Sequence, residues 1–214
     1  MGEMYKTIYK EGLDEFVISR SRFIGRSKQV VTEDEALAYI EKTRKERWDA
    51  NHNVWAYRLA GDRERYSDDG EPKGTAGMPV LEVIRKEGLR DVVVVVTRYF
   101  GGIKLGAGGL LRAYTRGAKI ALDSGVIIER HFYNRVIARI HYGFLERLKR
   151  ECAPRNYFIK DIEYADRVSV TILIPPERAP ALRELVADIT AGEGVVDEAQ
   201  GEYLDFRGDE LYTP

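Results

Sequence analysis

"DVVVVVTRYF", Asp91–Phe100, followed by "GGIKLGAGGLLRAY", Gly101–Tyr114, is the stretch on which the fold turns. Consecutive valines from Val92 to Val96 leave no polar face, so the pattern predicts a central strand covered on both sides. Gly101, Gly102, Gly106, Gly108 and Gly109 then mark a turn. From near Gly108 the apolar residues Leu110, Leu111, Tyr114, Ala118, Ala121 and Leu122 recur at helical spacing as far as Gly125. A helix that starts just after a strand offers free N–H groups and a positive dipole end to an anion. Arg98 and Lys104 flank the turn, and Arg112, Arg116 and Lys119 share one helix face. The glycines match neither a P-loop nor G-x-G-x-x-G, because Leu111 stands where the third glycine belongs. Two readings stay open: an anion or backbone-phosphate site, or a tight connection beside a solvated basic face.

Upstream lies a second punctuated stretch, "SDDGEPKGTAGMP", Ser67–Pro79. Its acids, Asp68, Asp69 and Glu71, do not alternate as an EF-hand loop requires. With Gly74 and Thr75 they form either an Asp-Gly turn into a helix or a binding loop whose carboxylates orient the cations of the glycine stretch. The whole of residues 62–77 reads as a long loop.

Elsewhere in the first half, "YKTIYK" and "EFVISRSRFIGRSKQVV" read as strands with Gly12 at a turn. "TEDEALAYIEKTRKERW" reads as a helix capped by Thr32 and Glu35, with Leu37 and Ile40 on its inner face. "NVWAYRLAG" is a strand, "PVLEVIRKEG" a short helix, and "VIIERHFY" a further strand. Beyond a boundary placed near Tyr133, the segments from "RVIARIHY" to "GVVDEAQGEYLDF" follow the order β-α-β-β-α-β. Leu182, Leu185, Val186 and Ile189 give the second of those helices one apolar stripe. The fold class is therefore α+β, with domains at 1–132 and 133–214.

Charge divides along the same line. The chain's 34 Lys plus Arg and 35 Asp plus Glu give a net charge of −1, which excludes a uniformly basic nucleic-acid binder. Residues 1–132 hold 23 basic and 20 acidic side chains, and residues 133–214 hold 11 and 15. A polyanion would thus meet the first domain. The single cysteine, Cys152, excludes an internal disulfide and favours a reducing compartment. The start lacks the apolar core of a signal peptide, and Lys6 breaks the myristoylation pattern begun by Gly2. No run approaches the roughly 20 apolar residues of a membrane span, so a cytoplasmic protein without a membrane partner is expected. Neither H-E-x-x-H nor G-x-S-x-G occurs, no metal or cofactor is expected, and His52 reads as a polar residue at a strand entrance.

"SRFIG", "HNVWAYRLAG", "SDDGEPKGTAGMP" and "VVVVVTRYFGGIKLGAGGLLRAY", in that order, resemble the Impact/YigZ family along nearly the whole chain. The resemblance implies a first domain similar to the second domain of a small-subunit ribosomal protein, a fold also used in elongation factor G domain IV. It implies a ferredoxin-like second domain similar to one in elongation factor G. Eukaryotic relatives regulate translation by competing for the activator of a stress-response kinase. Val54 stands where many relatives carry cysteine, so a thiol mechanism at that position has no thiol here. Asp68, Asp69, Glu71, Gly74, Thr75, Arg98, Gly101, Gly102, Lys104, Gly106, Gly108, Gly109 and Arg112 match the family pattern. The leading expectation is a non-enzymatic module that binds RNA, the ribosome or a translation-associated protein. An enzyme acting on a phosphorylated small molecule, and a protein–protein scaffold, are the alternatives.

Overall fold

The computed structural model describes residues 4–212; Gly2 and the last two residues of the expected 133–214 domain lie outside them. It is an α+β protein built on antiparallel sheets, in two compact units. One comprises Tyr5–Glu129 with residues 206–212, the other Arg130–Asp205 with Met4. Among the described residues, no helix is long and apolar enough to cross a membrane.

The first unit contains β1 (Tyr5–Ile8), β2 (Gly12–Ile18), β3 (Ser21–Gln29), α1 (Glu33–Glu46), β4 (His52–Arg58) and β5 (Glu64–Ser67). After these come α2 (Gly77–Lys86), β6 (Val92–Tyr99) and α3 (Gly106–Ser124). Its five-stranded antiparallel sheet has the order β2-β3-β6-β4-β5, so the valine strand is central. Val93 and Val95 pack with Tyr39 and Ile40 of α1, while Val92, Val94 and Val96 pack with α2 and α3. Helices on both faces explain why β6 can be apolar throughout, although such runs are more usual in parallel sheets.

Several elements differ from the sequence reading. Gly12 opens β2 just after the bend at residues 9–10, and the stretch "EFVISRSRFIGRSKQVV" is divided into β2 and β3 by a further turn at Ser19 and Arg20, between Ile18 and its partner Ser21. Both turn residues have positive φ, 46° and 63°, as a two-residue type I′ hairpin demands, without the usual Asn or Gly. Part of the supposed loop at 62–77 is β5, whose four residues pair with β4. Thr32 does cap α1, accepting from the Glu35 N–H at 3.2 Å, while the Glu35 carboxylate accepts from the Val31 N–H at 2.8 Å. Leu37, however, faces solvent; Ala36, Tyr39, Ile40 and Thr43 form the buried stripe. The glycine-rich turn is shorter than read, because α3 starts at Gly106.

"VIIERHFY" and "RVIARIHY" are one strand, β7 (Ile127–Ile140). It is followed by α4 (Leu145–Cys152), β8 (Phe158–Tyr164), β9 (Val168–Ile174), α5 (Ala179–Thr190), β10 (Val195–Arg207) and β11 (Glu210–Leu211). The second unit therefore has the β-α-β-β-α-β order, with strands arranged β10-β7-β9-β8. Its core joins alternate residues of β7 and β9 to Leu145 and Leu148 of α4 and Leu182, Val186 and Ile189 of α5. Cys152 is buried in that core, and burial pushes its thiol up to about 11.

Candidate functional site

The register of the first sheet sets Arg98 of β6 between Phe23 of β3 and His52 of β4. Arg98 is buried, and its Nη1 donates to Glu71 Oε1 at 2.6 Å. The same oxygen accepts from the Tyr114 hydroxyl of α3 at 2.7 Å, and His52 Nε2 lies 3.8 Å away. Burial, reinforced by the Glu71 carboxylate, pushes the Tyr114 hydroxyl far above the ordinary tyrosine range, so it remains a donor at neutral pH. The loop acid, the strand cation and the helix hydroxyl thus close around one carboxylate oxygen.

Above this network opens a cavity of ≈ 430 Å³. Glu71, Pro72 and Arg98 line it, with Asn51, His52, Phe100, and Lys104 through Ala107 around the rim. It is therefore bounded both by the acidic loop and by the glycine stretch. Among the described residues, no cluster of three or more His, Cys, Asp or Glu could hold a metal ion.

The remaining acids have other partners. Asp68 Oδ1 accepts from the N–H groups of Ala76 and Gly77 at 3.1 and 2.8 Å, and Oδ2 accepts from Gly74 N–H at 2.8 Å. It thereby caps the start of α2 instead of reaching the glycine stretch. Asp69 Oδ1 pairs with Arg44 of α1 at 2.9 Å and Oδ2 accepts from Asn53 N–H at 2.6 Å. Thr75 donates to the Pro72 carbonyl at 2.6 Å, which tightens the loop. Only Glu71 of the three orients a cation of the glycine stretch.

The glycines have separate reasons to be glycine. A Cβ on Gly101 would lie 2.0 Å from the Arg20 carbonyl at the β2–β3 hairpin tip. Gly102 and Gly106 have φ of 85° and 68°. At Gly109 a Cβ would sit 2.9 Å from Leu105 Cβ, whereas at Gly108 the nearest atom would be Arg112 Nη1 at 3.6 Å. Gly108 is exposed and sterically unconstrained.

The basic face of α3 does not act as a unit. Lys119 is paired with Glu87 and Asp123, at 2.9 and 2.8 Å. The Arg116 guanidinium stacks over Phe16, 4.2 Å from the ring centroid. Lys104 and Arg112 are exposed, and the Arg112 guanidinium hangs over the first turn of α3 at Gly108. That turn has neither a side-chain cap nor an acidic residue, unlike α1, which has Glu33, Asp34 and Glu35. Cations beside an uncapped helix N-terminus are electrostatically opposed to the dipole. An anion would relieve that opposition.

Sequence reasoning missed His52, Asn51 and Phe100 as cavity residues and took Tyr114 as purely apolar. The valine register was the available signal for His52, because an antiparallel partner of Arg98 must sit beside it.

The family comparisons agree with this architecture. The Impact N-terminal domain matches residues 19–122, which hold every residue of the site, and a domain of unknown function, DUF1949, matches residues 139–193. The IMPACT family member YvyE of Bacillus subtilis is 38% identical over 204 residues, covering 94% of each chain. The IMPACT family member YigZ of Escherichia coli is 30% identical over 179 residues, covering 82% of this chain and 88% of YigZ. A crystal structure of a hypothetical protein, 26% identical, superposes with a TM-score of 0.60 over 94% of this chain and 99% of that one. A likeness that runs nearly end to end and embraces the whole cavity places the chain in the Impact family.

Proposed function

We propose that this protein is a non-enzymatic cytoplasmic module that binds RNA, on the ribosome or with a translation-associated protein, and so regulates translation. The observation that carries the reading is the start of α3, where Lys104 and Arg112 attend an uncapped N-terminus with no acid in its first turn. Exposed N–H groups and cations of this kind suit a phosphate oxygen. Membership of the Impact family, with the translational setting that the resemblance implies, supports the cellular setting. Lys104→Glu with Arg112→Glu is expected to weaken binding to RNA and ribosomes and to flatten its salt dependence. Each single-strand phosphate that is no longer neutralised lowers the slope by about 0.7. Unchanged affinity would sink the reading.

A second reading rests on the cavity itself. A buried Glu71–Arg98 pair with His52 beside it, in a pocket of ≈ 430 Å³, would also suit an enzyme acting on a phosphorylated small molecule. Nucleotides and phosphosugars would then raise the melting temperature. No shift at millimolar ligand would count against it.

A further inference from the structure

Trp48 is 83% exposed, the highest exposure of any large hydrophobic residue in the described chain. It lies in the turn between α1 and β4, and that turn is fastened to the end of β6. Asp49 Oδ1 accepts from the Tyr99 hydroxyl at 2.9 Å, and Asn51 Oδ1 accepts from the Phe100 N–H at 2.7 Å. The Asn51 N–H donates to the Arg98 carbonyl at 3.1 Å. The segment carrying Trp48 is therefore held at the end of the strand that feeds the glycine turn.

Phe100 is the second aromatic there. It is 45% exposed, and the Arg98 guanidinium sits 5.3 Å from its ring centroid. A buried cation beside the ring fixes its orientation while the exposed portion stays open. Lys104 lines the cavity with Phe100, Arg20 lies against Gly101, the residue after Phe100, and Lys45 precedes Trp48 by three residues; all three are exposed and carry no ion pair among the described residues. The carboxylate of Asp49, next to Trp48, is engaged by Tyr99.

We propose that Trp48 and Phe100 are base-stacking platforms, and that this end of the first unit binds single-stranded RNA with its backbone on the unpaired cations. The inference rests on the RNA reading above and specifies the form of RNA. A duplex keeps its base faces stacked on one another, so an open aromatic face gains nothing from it; an unpaired strand offers its bases freely. The mixture of aromatic faces and uncompensated positive charge matches that ligand better than an apolar protein surface, which would leave these cations unneutralised.

The test is fluorescence anisotropy with the full chain, using an oligouridylate of about twelve nucleotides and an RNA duplex of similar length. Trp48→Ala is expected to weaken single-strand binding by about ten-fold, with duplex binding and melting temperature unchanged, and Trp48→Phe to restore most of the affinity. Full single-strand affinity in Trp48→Ala, while Lys104→Glu with Arg112→Glu abolishes it, overturns the platforms and leaves the RNA reading standing. Failure of the unaltered protein to bind either RNA removes both. Ribosome association that disappears in Trp48→Ala but survives nuclease and high salt in the unaltered protein makes this a protein-docking face and overturns the proposal.

Discussion

Arg98 and Glu71 meet at 2.6 Å with side-chain exposures of only 6% and 4%. A charged pair so far from solvent is held by its partners, and those partners come from separate places in the chain. Glu71 arrives on a loop that Asp68 fastens to α2, and Tyr114 reaches the same oxygen from α3. The floor of the cavity is therefore also a joint between loop, sheet and helix.

Removing one member of that pair should be costly. Glu71→Gln leaves the Arg98 charge buried without its counterion and is expected to destabilise the first unit by about 3 kcal/mol. Glu71→Gln with Arg98→Met should cost less than the sum of the two single changes. Urea unfolding followed by tryptophan emission measures this, because Trp48 and Trp55 both lie in the first unit. Strict additivity would show that the pair is not coupled.

Two glycines of the same stretch should behave oppositely. Gly101→Ala drives a methyl group into the Arg20 carbonyl and is expected to cost about 2 kcal/mol. Gly108→Ala meets only the Arg112 guanidinium, at ordinary van der Waals distance, within a helix and should stabilise by roughly 0.5–1 kcal/mol. If phosphate seats on the first-turn amides, Gly108→Ala will still weaken RNA binding. Thermal melts and binding assays on the two variants separate packing from ligand contact, and unaltered RNA affinity in Gly108→Ala would move the phosphate elsewhere.

Acid should loosen the second unit through Glu202. Hydrogen bonding from Lys160, at 2.6 and 2.7 Å, and from Arg135 at 3.1 Å holds its carboxyl below the usual carboxylate range. The stabilisation is present above the unfolded value of about 4.3 and is lost as pH falls through the lower folded value. Glu202→Gln is expected to weaken the unit at neutral pH and to flatten its decline in acid. Amide exchange in β7 and β10 across that range reads this directly, and parallel pH profiles for the two proteins would refute it.

Thr32→Ala removes the cap of α1 and should cost about 1 kcal/mol, measurable in the same urea transition. Thr32→Ser retains the accepting oxygen and should cost little.

How much of this was legible depended on how local each signal was. The valine run identified β6 because burial on both faces leaves a pattern in adjacent residues. The stripe of α5 and the Thr32 cap were equally local. The β5 segment, Glu-Arg-Tyr-Ser, has neither alternation nor length, and only its ladder to β4 makes it a strand. The Ser19–Arg20 turn lacks the residues that usually announce a positive φ. The Glu71–Arg98 pair spans 27 positions, so its two halves could be suspected but not joined. Trp48 gave no signal, since a tryptophan in sequence does not declare which side of the surface it occupies.

Cys152 has a practical consequence. Because the chain's only thiol ends α4 on its buried face, in the core of the second unit, with its ionisation pushed up to about 11, reagents should not reach it while that unit is closed. Its rate of labelling is thus a built-in clock for the opening of that unit, and a cysteine introduced near the glycine turn would be the sole readily modified position for a spectroscopic tag.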